Sequence, residues 1–174
     1  MQRLDPGLTF VLGGARSGKS GFAERLIEES GLEAVYVATG RAFDTEMEAR
    51  IGVHQQRRGN MWRTVEEPLA LADVLKDEAS EGRAVLVDCL TLWLTNLMME
   101  ERDLPTEAQR LADGLSGLSG AVVLVSNEVG FGIVPDNRMA RDFRDHAGRL
   151  HQMIAERADQ VYLMAAGLPL KMKG

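Results

Sequence analysis

Gly13-Gly14-Ala15-Arg16-Ser17-Gly18-Lys19-Ser20 follows the apolar run Leu8-Thr9-Phe10-Val11-Leu12 and leads into the helical pattern Phe22-Ala23-Glu24-Arg25-Leu26-Ile27. This is G-x-x-x-x-G-K-S set between a strand and a helix, the context the motif requires. Its glycines let the backbone curl so that N–H groups face phosphate oxygens. Lys19 supplies charge to the outer phosphates, the Ser20 hydroxyl can ligate Mg²⁺, and the helix N-terminus adds its positive end. A Gly-rich turn that only caps a helix would leave the paired lysine and serine unexplained. The stretch therefore predicts nucleotide binding and an α/β fold.

Outward from that loop, short apolar runs alternate with helical ones. Strands are expected at Ala34–Thr39, weakly at Trp62–Val65, and at Ala84–Asp88, Ala121–Ser126 and Val161–Ala165, the last closing the sheet. Helices are expected over Thr45–Arg58, Leu69–Glu78 with Pro68 at its first position, Leu90–Met99, Thr106–Leu118 capped by Thr106, and Asn137–Ala158. Fully apolar strands separated by helices imply a mostly parallel sheet covered on both faces. With 174 residues and no internal repeat or linker, residues 1–174 read as a single domain with the phosphate-loop nucleotide-binding fold. Ligands on such sheets bind beyond the carboxyl ends of the strands, so useful residues should follow Leu12, Thr39, Asp88 and Ser126.

Composition narrows the class. A net charge of −6 argues against nucleic acid as the main partner. No apolar run approaches the roughly 20 residues of a transmembrane helix, and the N-terminus shows no apolar signal segment. A lone cysteine, Cys89, excludes an internal disulfide, so a reducing cytoplasm is the expected home. Cys89 itself reads as a small buried hydrophobe.

Asp88 ends a strand expected to run parallel to the first, where phosphate-loop proteins place a second Mg²⁺ anchor; a strand-end Asp capping the next helix is the plainer alternative. In the helix Thr45–Arg58, Arg50, His54, Arg57 and Arg58 share one side at i, i+4, i+7 and i+8. Three cations beside an imidazole favour its neutral, nucleophilic form and can hold the phosphates under attack. On spacing alone, a solvated basic face with a bystander histidine is the better reading. His146 and His151 take surface or packing roles by default. The run Asn127 to Pro135 forms a shaped, Gly-containing loop at the binding edge, where Glu128 faces substrate or metal unless it is only a turn charge. Thr39 and Gly40 share that edge.

Several blocks together resemble one family: GGARSGKS (13–20), YVAT (36–39), DTEMEARIGVH (44–54), WRTVEEPL (62–69), VDCLTLWLTN (87–96), SNEVGFGIVP (126–135) and RDFRDHAGR (141–149). This family is the bifunctional adenosylcobinamide kinase / adenosylcobinamide-phosphate guanylyltransferases of cobalamin biosynthesis. The resemblance runs from about Leu8 to the C-terminus. It implies phosphorylation of adenosylcobinamide by ATP or GTP, followed by transfer of GMP from GTP to adenosylcobinamide phosphate, giving adenosylcobinamide-GDP and pyrophosphate. The second reaction passes through a guanylylated histidine. The family often carries two adjacent histidines there; here the pair is Val53-His54, so only His54 can serve. The resemblance thus implies His54 and Lys19 as catalytic residues and Mg²⁺ between Ser20 and Asp88. It implies a nucleotide-contacting set of Gly13, Gly14, Ala15, Arg16, Ser17, Gly18, Lys19, Ser20, Ala38, Thr39, Gly40, Gln55, Arg57, Arg58, Glu66 and Asp88. It further implies a homotrimer with sites near subunit boundaries. Two rivals are a phosphate-loop small-molecule kinase lacking guanylyl transfer, and a nucleotide-driven ATPase acting on DNA. Neither explains the segments 44–54 and 126–135.

Overall fold

The computed structural model describes residues 4, 6–41 and 61–174. Seven strands form one sheet: β1 (Gly7–Gly13), β2 (Glu33–Ala38), β3 (Trp62–Glu66), β4 (Arg83–Asp88), β5 (Ala121–Asn127), β6 (Gln160–Ala165) and β7 (Leu168–Lys173). Their order across the sheet is β3-β2-β4-β5-β1-β6-β7, and every pairing is parallel except β6 with β7. The described helices are α1 (Lys19–Glu28), α2 (Leu71–Glu78), α3 (Leu90–Met99), α4 (Leu104–Gly114) and α5 (Arg138–Arg157). The predicted helix Thr45–Arg58 lies wholly within 42–60, outside the described residues.

Strand periodicity sorts the core into two layers. Phe10, Val35, Val37, Val85, Val87, Val122 and Leu124 face one side and pack against Leu71, Leu75, Trp93, Leu97, Leu111 and Ile154 of α2 to α5. Val11, Ala34, Tyr36, Leu86, Val123 and Val125 face the other and pack against Phe22, Ala23, Leu26 and Ile27 of α1. Each large aliphatic side chain so buried contributes about 1.5–3 kcal/mol. Because both faces are covered, the central strands read as continuous apolar runs rather than alternating ones.

Three expectations are corrected. Pro68 does not open α2; the helix begins at Leu71, after Ala70. The Glu67 carboxylate accepts from the amides of Leu69 and Ala70, both at 2.8 Å, so a side-chain-stabilised turn takes the place of a first helical turn. Thr106 does not cap α4 either. The cap is Asp103, whose carboxylate accepts from the Thr106 amide at 3.1 Å, with Pro105 in the first turn. A carboxylate two residues before a proline outranks a threonine that follows it, because it also complements the helix dipole. The third correction is that β6 does not close the sheet. The chain turns at Ala166 and Gly167, with φ of 52° and 79°, and returns as β7. Two consecutive left-handed residues are the signature of a tight hairpin turn.

Candidate active site

The carboxyl edge of the sheet carries the site. Leaving β1, the loop makes a turn closed by the Ser17 amide on the Gly14 carbonyl at 3.2 Å. Gly18, at φ 93°, then caps α1. A side chain at Gly18 would begin 3.1 Å from the Gly167 α-carbon. The Gly167 amide donates to the Ser17 carbonyl at 2.9 Å, so the β6–β7 turn is bonded to the loop. Lys19 is 9% exposed, and its ammonium donates to the Gly14 carbonyl at 3.1 Å. The loop is thus already curled around its own lysine. The buried Ser17 hydroxyl has no hydrogen-bond partner among the described residues, which leaves a donor in the loop for an oxyanion.

Opposite the loop, β4 ends at Asp88, which is half-buried and lines the same cleft. Its position is set from behind. Thr39 is fully buried; its hydroxyl donates to the Cys89 carbonyl at 2.7 Å and accepts from the Cys89 amide at 3.1 Å. Asn96 of α3 then donates to the carbonyls of Thr39, at 2.6 Å, and Pro68, at 3.0 Å. Burial, and secondarily the Asp88 charge, push the Cys89 thiol up to about 11. Cys89 therefore stays protonated and is the buried hydrophobe that the sequence suggests.

Beyond β5, the Asn127 amide group donates to the Thr91 hydroxyl at 2.8 Å, and Thr91 also meets the Cys89 sulfur at 3.1 Å. The Glu128 amide donates to the Gly13 carbonyl at 3.0 Å. Its carboxylate accepts from the Gly130 amide. Behind Ser126, the His151 imidazole is 8% exposed and bonds the Ser126 hydroxyl at 2.7 Å. Burial lowers His151 to about 4, against a smaller raising influence of Glu128. His151 is a neutral packing residue beneath the site, in line with its expected role.

These walls enclose a cleft of about 1020 Å³. That is the upper end of the range of about 300–1,000 Å³ for ligand pockets, ample for a nucleotide. Of the nucleotide-contacting set, Ala15, Arg16, Ser17, Gly18, Lys19, Ser20, Ala38, Gly40 and Asp88 line the cleft. Thr39 lies behind it. Glu66 is exposed at the end of β3, level with Ala38. His54, Gln55, Arg57 and Arg58, with Arg50, lie outside the described residues. Tyr36, Thr91, Leu92, Thr95, Asn127 and Phe143 also line the cleft. Of these, only Asn127 was expected at the binding edge, as the start of the 127–135 loop, although Thr91 and Thr95 stand four apart on one helical face there.

A hydroxyl and a carboxylate on facing walls suit Mg²⁺, which takes one or two protein oxygens and completes its shell with phosphates and water. Among the described residues, no three His, Cys, Asp or Glu side chains gather to hold a metal unaided. Among the same residues, no helix is long and apolar enough to cross a membrane.

Comparison with known proteins gives a consistent result. The family model described as "Cobinamide kinase / cobinamide phosphate guanyltransferase" matches residues 9–172. The bifunctional adenosylcobalamin biosynthesis protein CobP of Pseudomonas aeruginosa is 54% identical, over 94% of this chain and 96% of its own. The bifunctional adenosylcobalamin biosynthesis protein CobU of Escherichia coli is 40% identical, over 95% of this chain and 99% of its own. Among solved structures, PH0250 of Pyrococcus horikoshii superposes at a TM-score of 0.59 with 10% identity, covering 99% of this chain and 88% of that one. The P4 protein of bacteriophage phi6, solved with ADP, superposes at 0.53 with 16% identity, covering 97% and 54%. At such identities these two likenesses concern the α/β fold alone.

Proposed function

The chain belongs to the cobinamide kinase / cobinamide phosphate guanyltransferase family, and we propose that one domain carries both activities around a single phosphate-loop cleft. The observation that supports this most is the near-full-length match to the family together with the curled Lys19 loop facing Asp88 and Glu128. In the kinase step, the aminopropanol hydroxyl of adenosylcobinamide takes the γ-phosphoryl group of ATP or GTP. In the second step, GMP passes from GTP to adenosylcobinamide phosphate, and adenosylcobinamide-GDP and pyrophosphate are formed.

The residues divide the work. Amides of Ala15 to Ser20 and the Lys19 ammonium hold the triphosphate and neutralise charge that develops on the leaving oxygens. Ser20 and Asp88 would hold Mg²⁺, which when bound supplies additional charge neutralisation at the phosphates. Ala38, Gly40, Glu66 and Asp88 border the nucleoside, with Thr39 fixing the strand ends from behind. His54 is the nucleophile of the second step: its imidazole nitrogen bonds to the α-phosphorus of GTP, and the bond to the pyrophosphate oxygen breaks. The cobinamide phosphate then displaces the imidazole. Two sequential displacements let each bulky anion meet the α-phosphorus separately. Gln55, Arg57 and Arg58 support the phosphates during both. The assembly we propose is a homotrimer in the cytoplasm.

The test is product analysis of the purified chain with adenosylcobinamide, ATP or GTP, and Mg²⁺. Sequential appearance of the phosphate and then the GDP conjugate supports the reading; a chain that forms neither contradicts it.

A further inference from the structure

The kinase step needs a group to take the proton of the attacking hydroxyl, and the guanylyl step does not, because cobinamide phosphate is already an anion. We propose that Glu128 is that base, a role resting on the kinase reading above.

The described cleft offers few titratable groups. Arg16 and Lys19 are cations committed to phosphates. Cys89 is buried, and its sulfur is engaged with the Thr91 hydroxyl at 3.1 Å. Glu24 lies one turn down α1 from Ser20, about 6 Å along a helix that leads away from the loop, with one carboxylate oxygen buried. Tyr36 is buried, its ring packed edge-on against Trp62. Asp88 and Glu128 remain, and strand register separates them in depth. β4 is level with β5 where Asp88 meets Val125, and β1 is level with β5 where Gly13 meets Asn127. Glu128 therefore stands three residues beyond the level of Asp88, about 10 Å at ~3.3 Å per residue. Asp88 is the deeper of the two, in position to hold a cation together with Ser20 across the cleft. Glu128 is nearer the rim, just past the end of the strand adjoining β1, a place that the hydroxyl of a bulky second substrate can reach.

Glu128 is also held for the task. Its amide is bonded to Gly13, the first residue of the loop, at 3.0 Å, and its carboxylate is steadied by the Gly130 amide. A base fixed to the loop keeps its distance from whatever phosphate the loop holds. As the hydroxyl oxygen bonds to the γ-phosphorus, the bond to the β,γ-bridging oxygen breaks and the nucleoside diphosphate leaves with that electron pair. The hydroxyl proton passes to the Glu128 carboxylate and from there to water.

Glu128→Gln tests this, because the amide oxygen of Gln keeps the bond from Gly130 while losing basicity. Two rates are read on the parent and the variant: phosphorylation of adenosylcobinamide, and GMP transfer from GTP to supplied adenosylcobinamide phosphate. The expected result is a fall in the kinase kcat of about 100-fold or more, nucleotide KM within about threefold, and GMP transfer within about threefold. An unchanged kinase rate, or an equal fall in both rates, would overturn the assignment. A parent chain that performs neither reaction would sink the family reading itself and the assignment with it.

Discussion

The Thr39 hydroxyl bonds both the amide and the carbonyl of Cys89, at 3.1 and 2.7 Å, and so stitches the end of β2 to the residue that follows Asp88. A side chain at the binding edge thus bonds the protein's own backbone. Thr39→Val keeps the shape and removes both bonds; the Cys89 carbonyl keeps the Trp93 amide at 3.2 Å, but the buried Cys89 amide loses its hydroxyl partner, which costs about 2 kcal/mol. Urea denaturation should show that loss, and Mg²⁺-dependent nucleotide affinity should weaken with it. Thr39→Ser should restore most of both.

His151 gives stability a pH dependence. Its folded value, near 4, lies below the ordinary imidazole value of 6.5 because the ring is buried. The unfolded chain therefore binds a proton at this ring where the folded chain does not. Its contribution is fully present above pH 6.5 and is lost as pH falls towards 4. Between pH 7 and pH 5 the loss should be about 2 kcal/mol. His151→Gln can still bond Ser126 but does not titrate. Parent and variant stabilities should converge or cross as pH falls; parallel profiles would contradict the assignment.

Two glycines with positive φ separate close approach from conformational freedom. A β-carbon added at Gly18 would lie 3.1 Å from the Gly167 α-carbon, while one added at Gly31 would meet nothing within 4 Å. Gly31→Ala should cost about 1 kcal/mol of stability and leave nucleotide binding intact. Gly18→Ala must also displace backbone on one side of the phosphate loop. Nucleotide affinity should fall at least about tenfold, measurable by titration with a fluorescent GTP analogue.

Much of this was legible in the chain because the signals were local. The Gly13–Ser20 loop, the apolar strands and the helices expected over Leu90–Met99 and Asn137–Ala158, the latter found at Arg138–Arg157, follow from motif and periodicity. The strand β7 was not legible: Leu168-Pro169-Leu170-Lys171-Met172-Lys173 holds a proline and two lysines, and all six residues are exposed. An edge strand of this kind is defined by its partner and its turn, not by burial. The Asp103 cap was missed because Thr106 carries the same chemistry three residues later. The difference in depth between Asp88 and Glu128 could not be read either, since it depends on the register of three strands distant in sequence. The Thr39–Cys89 bonds bridge 50 residues, a separation at which no spacing rule speaks.

The central claim is that one cleft serves both transfers and that the second proceeds through His54. Intact-protein mass after incubation with GTP and Mg²⁺, on the parent and on His54→Ala, tests it most directly. The account predicts a gain of one GMP on the parent and none on the variant, with the variant still phosphorylating adenosylcobinamide. A gain on both proteins, or on neither while adenosylcobinamide-GDP still forms, would contradict it.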